Sequence, residues 1–315
     1  MADASLKTLH PFLNEVDTKV SSGGTIRSYS HDTRSGPVLL LLHGYPQSSY
    51  MWRHIVPWLK DYSLFIPELP GYGISSLPPK PDKRTVGNLI LEAFRSVFPS
   101  RDVIWVGHDR GARVGHRLLV DNDASHRIIT AILIDIVPTT QQWRAFANPL
   151  ASIAYYHWPF LALPTAPQLI EAMGGYEYCK NSLDRARGAN EVGAAKFKEN
   201  DAVDHYSHLF SLPETIAGSC ADYASAAGDE VKEQESDQKE GKKIQTSTLV
   251  LYSASNLGRM HDVDAVWKEW VQDGTELRTV GIKEFGHYLP EETPEQVAEF
   301  VLDWVEKHSS KQAKI

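Results

Sequence analysis

Cysteine, long apolar runs and positive charge are all scarce in this 315-residue sequence. Its two cysteines, Cys179 and Cys220, are too few for a disulfide framework and show no metal-ligand spacing, so free thiols are expected. No run approaches the roughly 18 apolar residues that span a bilayer, and residues 1–7 lack the basic and apolar segments of a secretory leader. The sequence therefore predicts a soluble, cytoplasmic protein that does not enter a membrane.

The formal net charge of -8 bears on the class of partner. A strongly negative protein repels nucleic acid and acidic lipid surfaces, which argues against both as general partners. An anionic substrate would have to be attracted by local positive groups. The expected partner is a small organic molecule.

Short apolar segments alternate with helix-length segments along most of the chain. A polar start with two antiparallel strands is expected, followed by buried strands at Val38–Leu42, Ser63–Pro67, Val103–Val106, Ala131–Ile136, Thr248–Tyr252 and Leu277–Val280. Helices are expected at Ser48–Lys60, Thr85–Phe98, Arg110–Asp121, Val263–Val271 and Pro294–Lys307. Such alternation predicts an α/β fold with a mostly parallel, doubly wound sheet.

The alternation stops after about residue 138 and resumes near residue 248. The segment between contains Trp, Tyr, Pro and helix-like pieces without clear strands, which indicates an inserted helical lid. We therefore expect a core of residues 1–137 and 244–315 and a lid of residues 138–243. The last part of the lid, residues 229–243, is almost entirely charged or polar and is predicted to be solvated.

One strand, turn and helix carry the clearest chemical motif. The apolar strand Val103–Val106 runs into Gly107-His108-Asp109-Arg110-Gly111 and then into an amphipathic segment. This is the nucleophile-elbow pattern, in which flanking small residues permit a strained turn, with aspartate in the serine position. The alternative is an ordinary turn in which Asp109 caps the helix. As a nucleophile, Asp109 would displace a leaving group from an sp³ carbon and form an alkyl ester.

Hydrolysis of such an ester needs a base and an acid that orients it. His287 follows the last predicted strand and comes after the nucleophile in the chain, as this fold requires. Asp135 lies at the end of the strand Ala131–Ile136, where its carboxylate can fix the tautomer of the imidazole. Asp262 and Asp264 are alternatives for this acid, although their usual role would be to start the following helix.

Two further positions predict how charge is handled in the site. Tyr45, in the turn after the first buried strand, and Arg110, after the nucleophile, would supply the backbone N–H groups of an oxyanion hole. Arg110 and Arg113 are three residues apart at a helix start, where two cations oppose the helix dipole and need an anionic partner. That partner is either a substrate carboxylate, held by both guanidinium groups, or a structural carboxylate.

Together these motifs resemble the fluoroacetate (haloacetate) dehalogenases of the α/β-hydrolase superfamily. The likeness runs from about residue 37 to the end, apart from the charged segment, and rests on four stretches. An arginine directly after the nucleophile is its most specific feature, because haloalkane dehalogenases and epoxide hydrolases usually have tryptophan there. The four stretches are Gly107–Arg113, Ile134–Thr139, Tyr156–Trp158 and Gly286–Glu292.

The resemblance implies an activity, which is the hydrolytic dehalogenation of short 2-haloacids without a metal or organic cofactor. It implies that Arg110 and Arg113 bind the substrate carboxylate, and that His157, Trp158 and Tyr223 donate hydrogen bonds to the departing halide. It also implies a homodimer. Tyr45 departs from the family, which often has phenylalanine at that position.

Two rival functions remain open at this point. An epoxide hydrolase shares the Asp–His pair but needs lid tyrosines to protonate the epoxide oxygen, and Tyr155, Tyr156, Tyr206 and Tyr223 are candidates. A ligand-binding protein that has kept a hydrolase fold is the second rival, because fold alone does not determine function. Such a protein typically has a broken triad, whereas candidates for all three groups are present here.

Overall fold

The computed structural model describes residues 5–309, so residues 1–4, on which the leader prediction partly rests, lie outside the described residues. Eight strands form one sheet in the order β1-β2-β4-β3-β5-β6-β7-β8. β1 and β2 pair antiparallel, as do β2 and β4, and all later pairs are parallel. The strands are β1 Asn14–Lys19, β2 Thr25–His31, β3 Val38–Leu42, β4 Ser63–Pro67, β5 Val103–His108, β6 Ile128–Ile134, β7 Thr248–Ser253 and β8 Leu277–Ile282.

Continuous apolar runs form the centre of this sheet. Every residue of β3, β4 and β5 is buried, as expected for parallel strands that are covered by helices on both faces. β1 alternates only weakly and is mostly exposed, in agreement with its place at the edge. The mostly parallel α/β-hydrolase sheet that the sequence predicts is confirmed.

Helices cover the sheet and fill the connection between β6 and β7. Those outside that connection are α1 Leu6–Leu9, α2 Lys83–Val97, α3 Arg110–Asp121, α13 Leu257–Met260, α14 Val263–Lys268, α15 Leu289–Glu292 and α16 Pro294–Ser309. Those within it are α4 Thr139–Ala145, α5 Pro149–Ala154, α6 His157–Leu161, α7 Ala166–Met173, α8 Gly175–Ala186, α9 Glu191–Lys198, α10 Ala202–Phe210, α11 Pro213–Ala227 and α12 Asp229–Lys239. The helices α4 to α12 are called the lid below.

Two sequence-based expectations about local structure need correction. The stretch predicted as one helix at residues 48–60 consists of two 3₁₀ helices, Ser49–His54 and Val56–Leu59. The charged stretch is not solvated on every side, because α12 buries Glu230, Gln234 and Asp237. These buried groups have polar partners on distant segments, which an inspection of the stretch alone does not reveal.

The state of the cysteines and the presence of membrane-spanning helices can both be examined in the described residues. Cys179 and Cys220 are both buried free thiols, as predicted. Among residues 5–309, no helix is both long enough and apolar enough to cross a membrane.

Candidate active site

The turn from β5 to α3 has the strained backbone expected of a nucleophile elbow. Asp109 adopts φ 46° and ψ -114°, a backbone conformation that residues other than glycine rarely adopt. The chain can bend this tightly because Gly107 has no side chain: a Cβ there would lie 2.5 Å from the carbonyl oxygen of Gly111. The carboxylate of Asp109 is thereby held at the carboxyl edge of the sheet, where it lines a cavity.

One oxygen of the Asp109 carboxylate is bound and the other is not. The backbone N–H of Tyr45 donates to Oδ1 at 2.8 Å. A Cβ on Gly44 would lie 2.6 Å from this oxygen and 2.9 Å from the backbone nitrogen of Arg110, so the two N–H groups predicted for the oxyanion hole flank the same space. Oδ2 has no hydrogen-bond partner within the described residues.

His287 and Asp135 form a close pair beside this carboxylate. Nδ1 of His287 lies 2.6 Å from Oδ2 of Asp135, whose Oδ1 accepts from the backbone N–H of Ser253 at 2.7 Å. Because an ionised carboxylate only accepts, the imidazole proton is on Nδ1 and the lone pair is on Nε2. Nε2 lies 3.9 Å from Oδ2 of Asp109.

The alternative acids lie elsewhere in the fold. Asp262 caps α14 by accepting from the backbone N–H of Ala265 at 3.0 Å, and Asp264 pairs with Lys268 at 2.5 Å. Of the three carboxylates considered from the sequence, Asp135 is therefore the one that the structure brings to His287.

The electrostatics of these groups suit a nucleophile and a base. Burial alone would raise the pKa of Asp109, but His287 and Arg110 outweigh burial, and the pKa lies below its ordinary value. Burial alone would lower the pKa of His287, but the hydrogen bond and charge of Asp135 raise it above the usual value. Asp109 is consequently ionised at neutral pH, and His287 is an unusually strong base for an imidazole.

A cavity of about 260 Å³ opens over Asp109, between the sheet edge and the lid. Three residues of its wall have a donor group without a hydrogen-bond partner within residues 5–309: the hydroxyl of Tyr155, Nε of Arg113 and Nε2 of Gln142. The carboxylate of Asp109, which accepts hydrogen bonds, lines the same cavity. Such a wall suits a small ligand that accepts hydrogen bonds.

The two arginines occupy different environments, contrary to the expectation that both face the substrate. Arg113 lines the cavity, where its Nη1 donates to the carbonyl of Val137 at 2.8 Å. Burial lowers the pKa of Arg113 to about 10, so the group is still cationic at neutral pH. Arg110 instead lies against Tyr223, with its guanidinium carbon 4.2 Å from the ring centroid, outside the cavity wall.

Asp222 is the physical reason for this difference. Arg110 makes a two-point ion pair with it, Nε to Oδ2 at 2.6 Å and Nη2 to Oδ1 at 2.8 Å. Lys83 contacts the same carboxylate, and Tyr72 donates to it at 2.7 Å. The anionic partner required by Arg110 is therefore supplied by the protein, which leaves only Nη1 of this guanidinium without a partner among the described residues.

The three residues predicted to bind halide come together around the cavity. His157, Trp158 and Tyr223 all line it. The ring of Tyr223 packs edge-on against Trp158 at 5.5 Å and His157 at 5.8 Å, and His157 lies parallel to Tyr45 at 6.1 Å. No hydrogen bond within the described residues occupies the indole N–H or the Tyr223 hydroxyl.

The four lid tyrosines considered for epoxide chemistry differ in position. Tyr155 and Tyr223 line the cavity. Tyr206 is buried against Glu291, to which its hydroxyl donates at 2.8 Å, and Tyr156 is 44% exposed. Only the first two can reach a ligand beside Asp109.

Sequence reasoning missed several polar groups that support the site. Glu292 accepts from the backbone N–H groups of Gly286 and Tyr288, on both sides of His287, at 2.8 and 3.0 Å, and from Gly188 of the lid at 2.8 Å. The signal for it in the sequence is its position five residues after His287, in the single turn of α15, since an acidic residue in a first helical turn is favoured beside unpaired N–H groups. Asp222 and Arg185 have no such local signal.

Comparison with known proteins agrees with this architecture. The model of the α/β-hydrolase fold family matches residues 37–294 of this chain. A fluoroacetate dehalogenase from Burkholderia sp is 30% identical to this chain, and the alignment covers 86% of this chain and 88% of the relative. A soluble epoxide hydrolase from Corynebacterium sp. (strain C12) is 26% identical, and the alignment covers 85% of this chain and 88% of that relative.

A solved structure from Nostoc sp PCC 7120, assigned to the α/β hydrolases, superimposes with a TM-score of 0.82. It is 30% identical and covers 93% of this chain and 98% of its own. The chain therefore belongs to the α/β-hydrolase family and is a hydrolase of that type.

Proposed function

We propose that this hydrolase removes halide from short 2-haloacids, such as haloacetates, through an alkyl ester on Asp109. The observation that carries the proposal is the arrangement of the carboxylate. Oδ1 is bound by the N–H of Tyr45, while Oδ2 has no hydrogen-bond partner in the part of the chain that the structure describes and lies beside the Asp135-oriented imidazole of His287. A serine hydrolase would need a hydroxyl at this position.

The chemistry balances in two steps. In the first, Oδ2 of Asp109 bonds to the carbon that carries the halogen, and the carbon–halogen bond breaks with its electron pair leaving as halide. In the second, His287 removes a proton from water while the water oxygen attacks the ester carbonyl, whose oxygen Oδ1 is stabilised by the N–H groups at Tyr45 and Arg110. Collapse breaks the bond between the carbonyl carbon and the substrate oxygen, and His287 gives its proton to that oxygen, which releases a 2-hydroxyacid. The Asp109 carboxyl then loses the second water proton to solvent and returns to a carboxylate.

The charge of the wall supports an acid as the substrate. Arg113 is a buried cation on the cavity wall, and Gln142 adds an unpaired amide. A substrate carboxylate provides the acceptors that these groups lack, and charge-assisted hydrogen bonds are strong in a buried site. Arg110 lies outside this wall and is paired with Asp222, so the proposal assigns the substrate carboxylate to Arg113.

Halide departure is assigned to His157, Trp158 and Tyr223. Each can donate one hydrogen bond, and all three border the cavity that Asp109 faces. Donors aimed at a leaving group stabilise the charge that develops on it, which matters most for fluoride because fluoride is a poor leaving group.

Epoxide hydrolysis is the second candidate. Tyr155 and Tyr223 favour it, because both residues line the cavity and the Tyr155 hydroxyl has no hydrogen-bond partner within the described residues. The same Asp109 and His287 would open an epoxide if these hydroxyls protonated its oxygen. A ligand-binding role is less consistent with a complete set of nucleophile, base and acid.

The decisive experiment measures halide release from fluoroacetate and chloroacetate by the purified protein. Asp109→Asn is the matched variant, because the amide keeps the shape of the carboxylate and removes the nucleophile. We expect release that falls by roughly 10⁴-fold or more in this variant. Chloroacetamide, which lacks the negative charge, should be turned over more slowly than chloroacetate.

Two other results would change the assignment. Turnover of epoxides with no halide release would support the epoxide hydrolase instead. Equal turnover of chloroacetate and chloroacetamide would contradict the carboxylate role of Arg113.

A cytoplasmic location and a homodimer remain proposals, and sedimentation of the 35.2 kDa chain tests the latter.

A further inference from the structure

Arg185, near the end of α8, contacts His157, one of the three proposed halide donors. Its Nη1 donates to the carbonyl of Ala154 at 2.6 Å, and its Nη2 lies 3.1 Å from Nδ1 of His157. The guanidinium also stacks on Tyr156, with its carbon 4.9 Å from the ring centroid. Three contacts therefore fix the side chain at the cavity wall, to which it contributes.

The contact with His157 determines which nitrogen of the imidazole carries the proton. A guanidinium has donors only, so Nδ1 of His157 must accept. Burial, followed by the nearby charge of Arg185, lowers the pKa of His157 well below its ordinary value, which keeps the ring neutral. The single proton of a neutral ring that accepts at Nδ1 is on Nε2.

Nε2 of His157 has no hydrogen-bond partner within residues 5–309. The ring lies parallel to Tyr45 and edge-on to Tyr223, both of which border the same cavity. With the proton on Nε2 the ring offers a donor to a leaving group. With the proton on Nδ1 it would offer a lone pair, which repels departing halide.

We propose that Arg185 is a positioning residue that holds His157 as the Nε2–H tautomer, so that the imidazole donates a hydrogen bond to the leaving group. The effect on rate rests on the proposed dehalogenation, but the effect on the tautomer does not. Arg185 acts through His157 and need not contact the substrate.

The dependence on leaving group follows from this arrangement. Loss of one donor aimed at developing charge lowers a rate by about 10²–10³-fold. Fluoride depends on such donors more than bromide does, because bromide leaves readily without them. Replacement of Arg185 should therefore slow fluoroacetate turnover by roughly 10²-fold and bromoacetate turnover by less than about tenfold.

The first test is ¹⁵N NMR of the imidazoles, which distinguishes a protonated from an unprotonated ring nitrogen. The His157 signals are assigned by their loss in His157→Gln. We expect a protonated Nε2 and an unprotonated Nδ1 in the native protein. Arg185→Met should populate the Nδ1–H tautomer or the doubly protonated ring near neutral pH, whereas Arg185→Lys, which keeps a donor, should restore the native pattern.

Lys180→Met is the matched control, because Lys180 is exposed on the same helix and removal of its charge leaves His157 untouched. It should show the native tautomer and an unchanged ratio of fluoride to bromide release. An unaltered tautomer in correctly folded Arg185→Met would overturn the proposal. An altered tautomer without any halide release from the native protein would instead refute the proposed function and leave the tautomer assignment standing.

Discussion

At the scale of the residue, the chemistry depends on the different surroundings of two oxygens on one carboxylate. Oδ1 of Asp109 accepts from Tyr45 and cannot attack without loss of that bond, while Oδ2 has no hydrogen-bond partner among residues 5–309 and Asp109 lines the cavity. In the proposed ester on Oδ2, the carbonyl oxygen is Oδ1, which already accepts from the N–H of Tyr45. Attack by water therefore requires no rotation of the side chain.

The first prediction concerns the ester itself. Replacement of His287 with glutamine removes the base for the second step but leaves Asp109 and its N–H partners in place. With chloroacetate, His287→Gln should release about one chloride per protein molecule and then stop, because the ester accumulates. Mass spectrometry should find a carboxymethyl group on the peptide that contains Asp109.

Two outcomes would contradict this mechanism. An unmodified Asp109 peptide after chloride release would exclude the ester, and continued turnover would exclude His287 as the base. Asp109→Asn combined with His287→Gln is the control for alkylation at other residues.

The second prediction is the pH dependence of ester hydrolysis. His287 acts as a base only when neutral, and Asp135 raises its pKa, so the rate should be low at acid pH and rise as pH increases through this raised pKa. Asp135→Asn removes the group that raises the pKa. The acid limb should then move to lower pH, and the plateau should fall by about 10⁴-fold because the tautomer is no longer fixed.

Rapid-quench measurement of ester decay across pH checks this directly. Asp262→Asn is the matched control, since Asp262 caps α14 and has no contact with His287. An acid limb that stays in place in Asp135→Asn would mean that another group controls the pKa of His287.

At this scale, the residues whose grouping could be predicted from the sequence are those that follow strands of the sheet. Asp109, Asp135 and His287 each follow a strand of the parallel sheet, and the carboxyl ends of such strands meet at one edge. The partner of Arg110 was not predictable in this way. Asp222 is 112 residues away on a lid helix, and which of many carboxylates reaches a given arginine depends on tertiary packing.

At the scale of the element, strand and helix limits agree best where local signals are strong. β3, β4 and α3 have the predicted bounds, because each is a short apolar run or an amphipathic segment directly after a turn. The lid is divided into helices of 5 to 15 residues, and the sequence indicated the lid as a whole without the limits of these helices. α12 shows the same difficulty in a charged sequence.

The buried face of α12 is the subject of the third prediction. Asp237 is 2% exposed and accepts from Nη1 of the buried Arg117 at 2.5 Å. Asp237→Asn should lower the free energy of unfolding by about 2 kcal/mol, because a charge-assisted hydrogen bond is lost while Asp121 still pairs with Arg117 at 2.7 Å. Urea unfolding followed by circular dichroism measures the change.

Glu235 provides the control on the opposite, exposed face of the same helix. Glu235→Gln should change the free energy of unfolding by less than about 0.5 kcal/mol. Equal effects of the two substitutions would show that α12 is solvated on both faces, as the sequence alone suggested.

At the scale of the whole molecule, the protein has a negative net charge but has several hydrogen-bond donors around one small cavity. The formal charge is -8, yet Arg113 and Arg185 both border the cavity. Long-range repulsion of an anion is screened by salt within about 10 Å at 0.1 M, whereas buried contacts are screened much less. The proposed selectivity for an anion therefore depends on the cavity wall and not on the net charge.

The fourth prediction links this selectivity to the stability of the fold. A ligand that binds only the folded protein stabilises it, by about 2.7 kcal/mol at a hundredfold excess over its Kd. Asp109→Asn cannot form the ester, so it can be heated with intact fluoroacetate. We expect fluoroacetate to raise its Tm by roughly 5 °C at that excess, and uncharged fluoroacetamide at the same concentration to raise it much less.

The pair of ligands separates charge from shape, because amide and carboxylate are nearly isosteric. A mere salt effect is recognised with sodium chloride at matched ionic strength, which should not reproduce the shift. Equal shifts with fluoroacetate and fluoroacetamide would contradict an anion site at Arg113. The cavity would then select ligands by size and by the hydroxyls of Tyr155 and Tyr223, which is the behaviour expected of the epoxide hydrolase alternative.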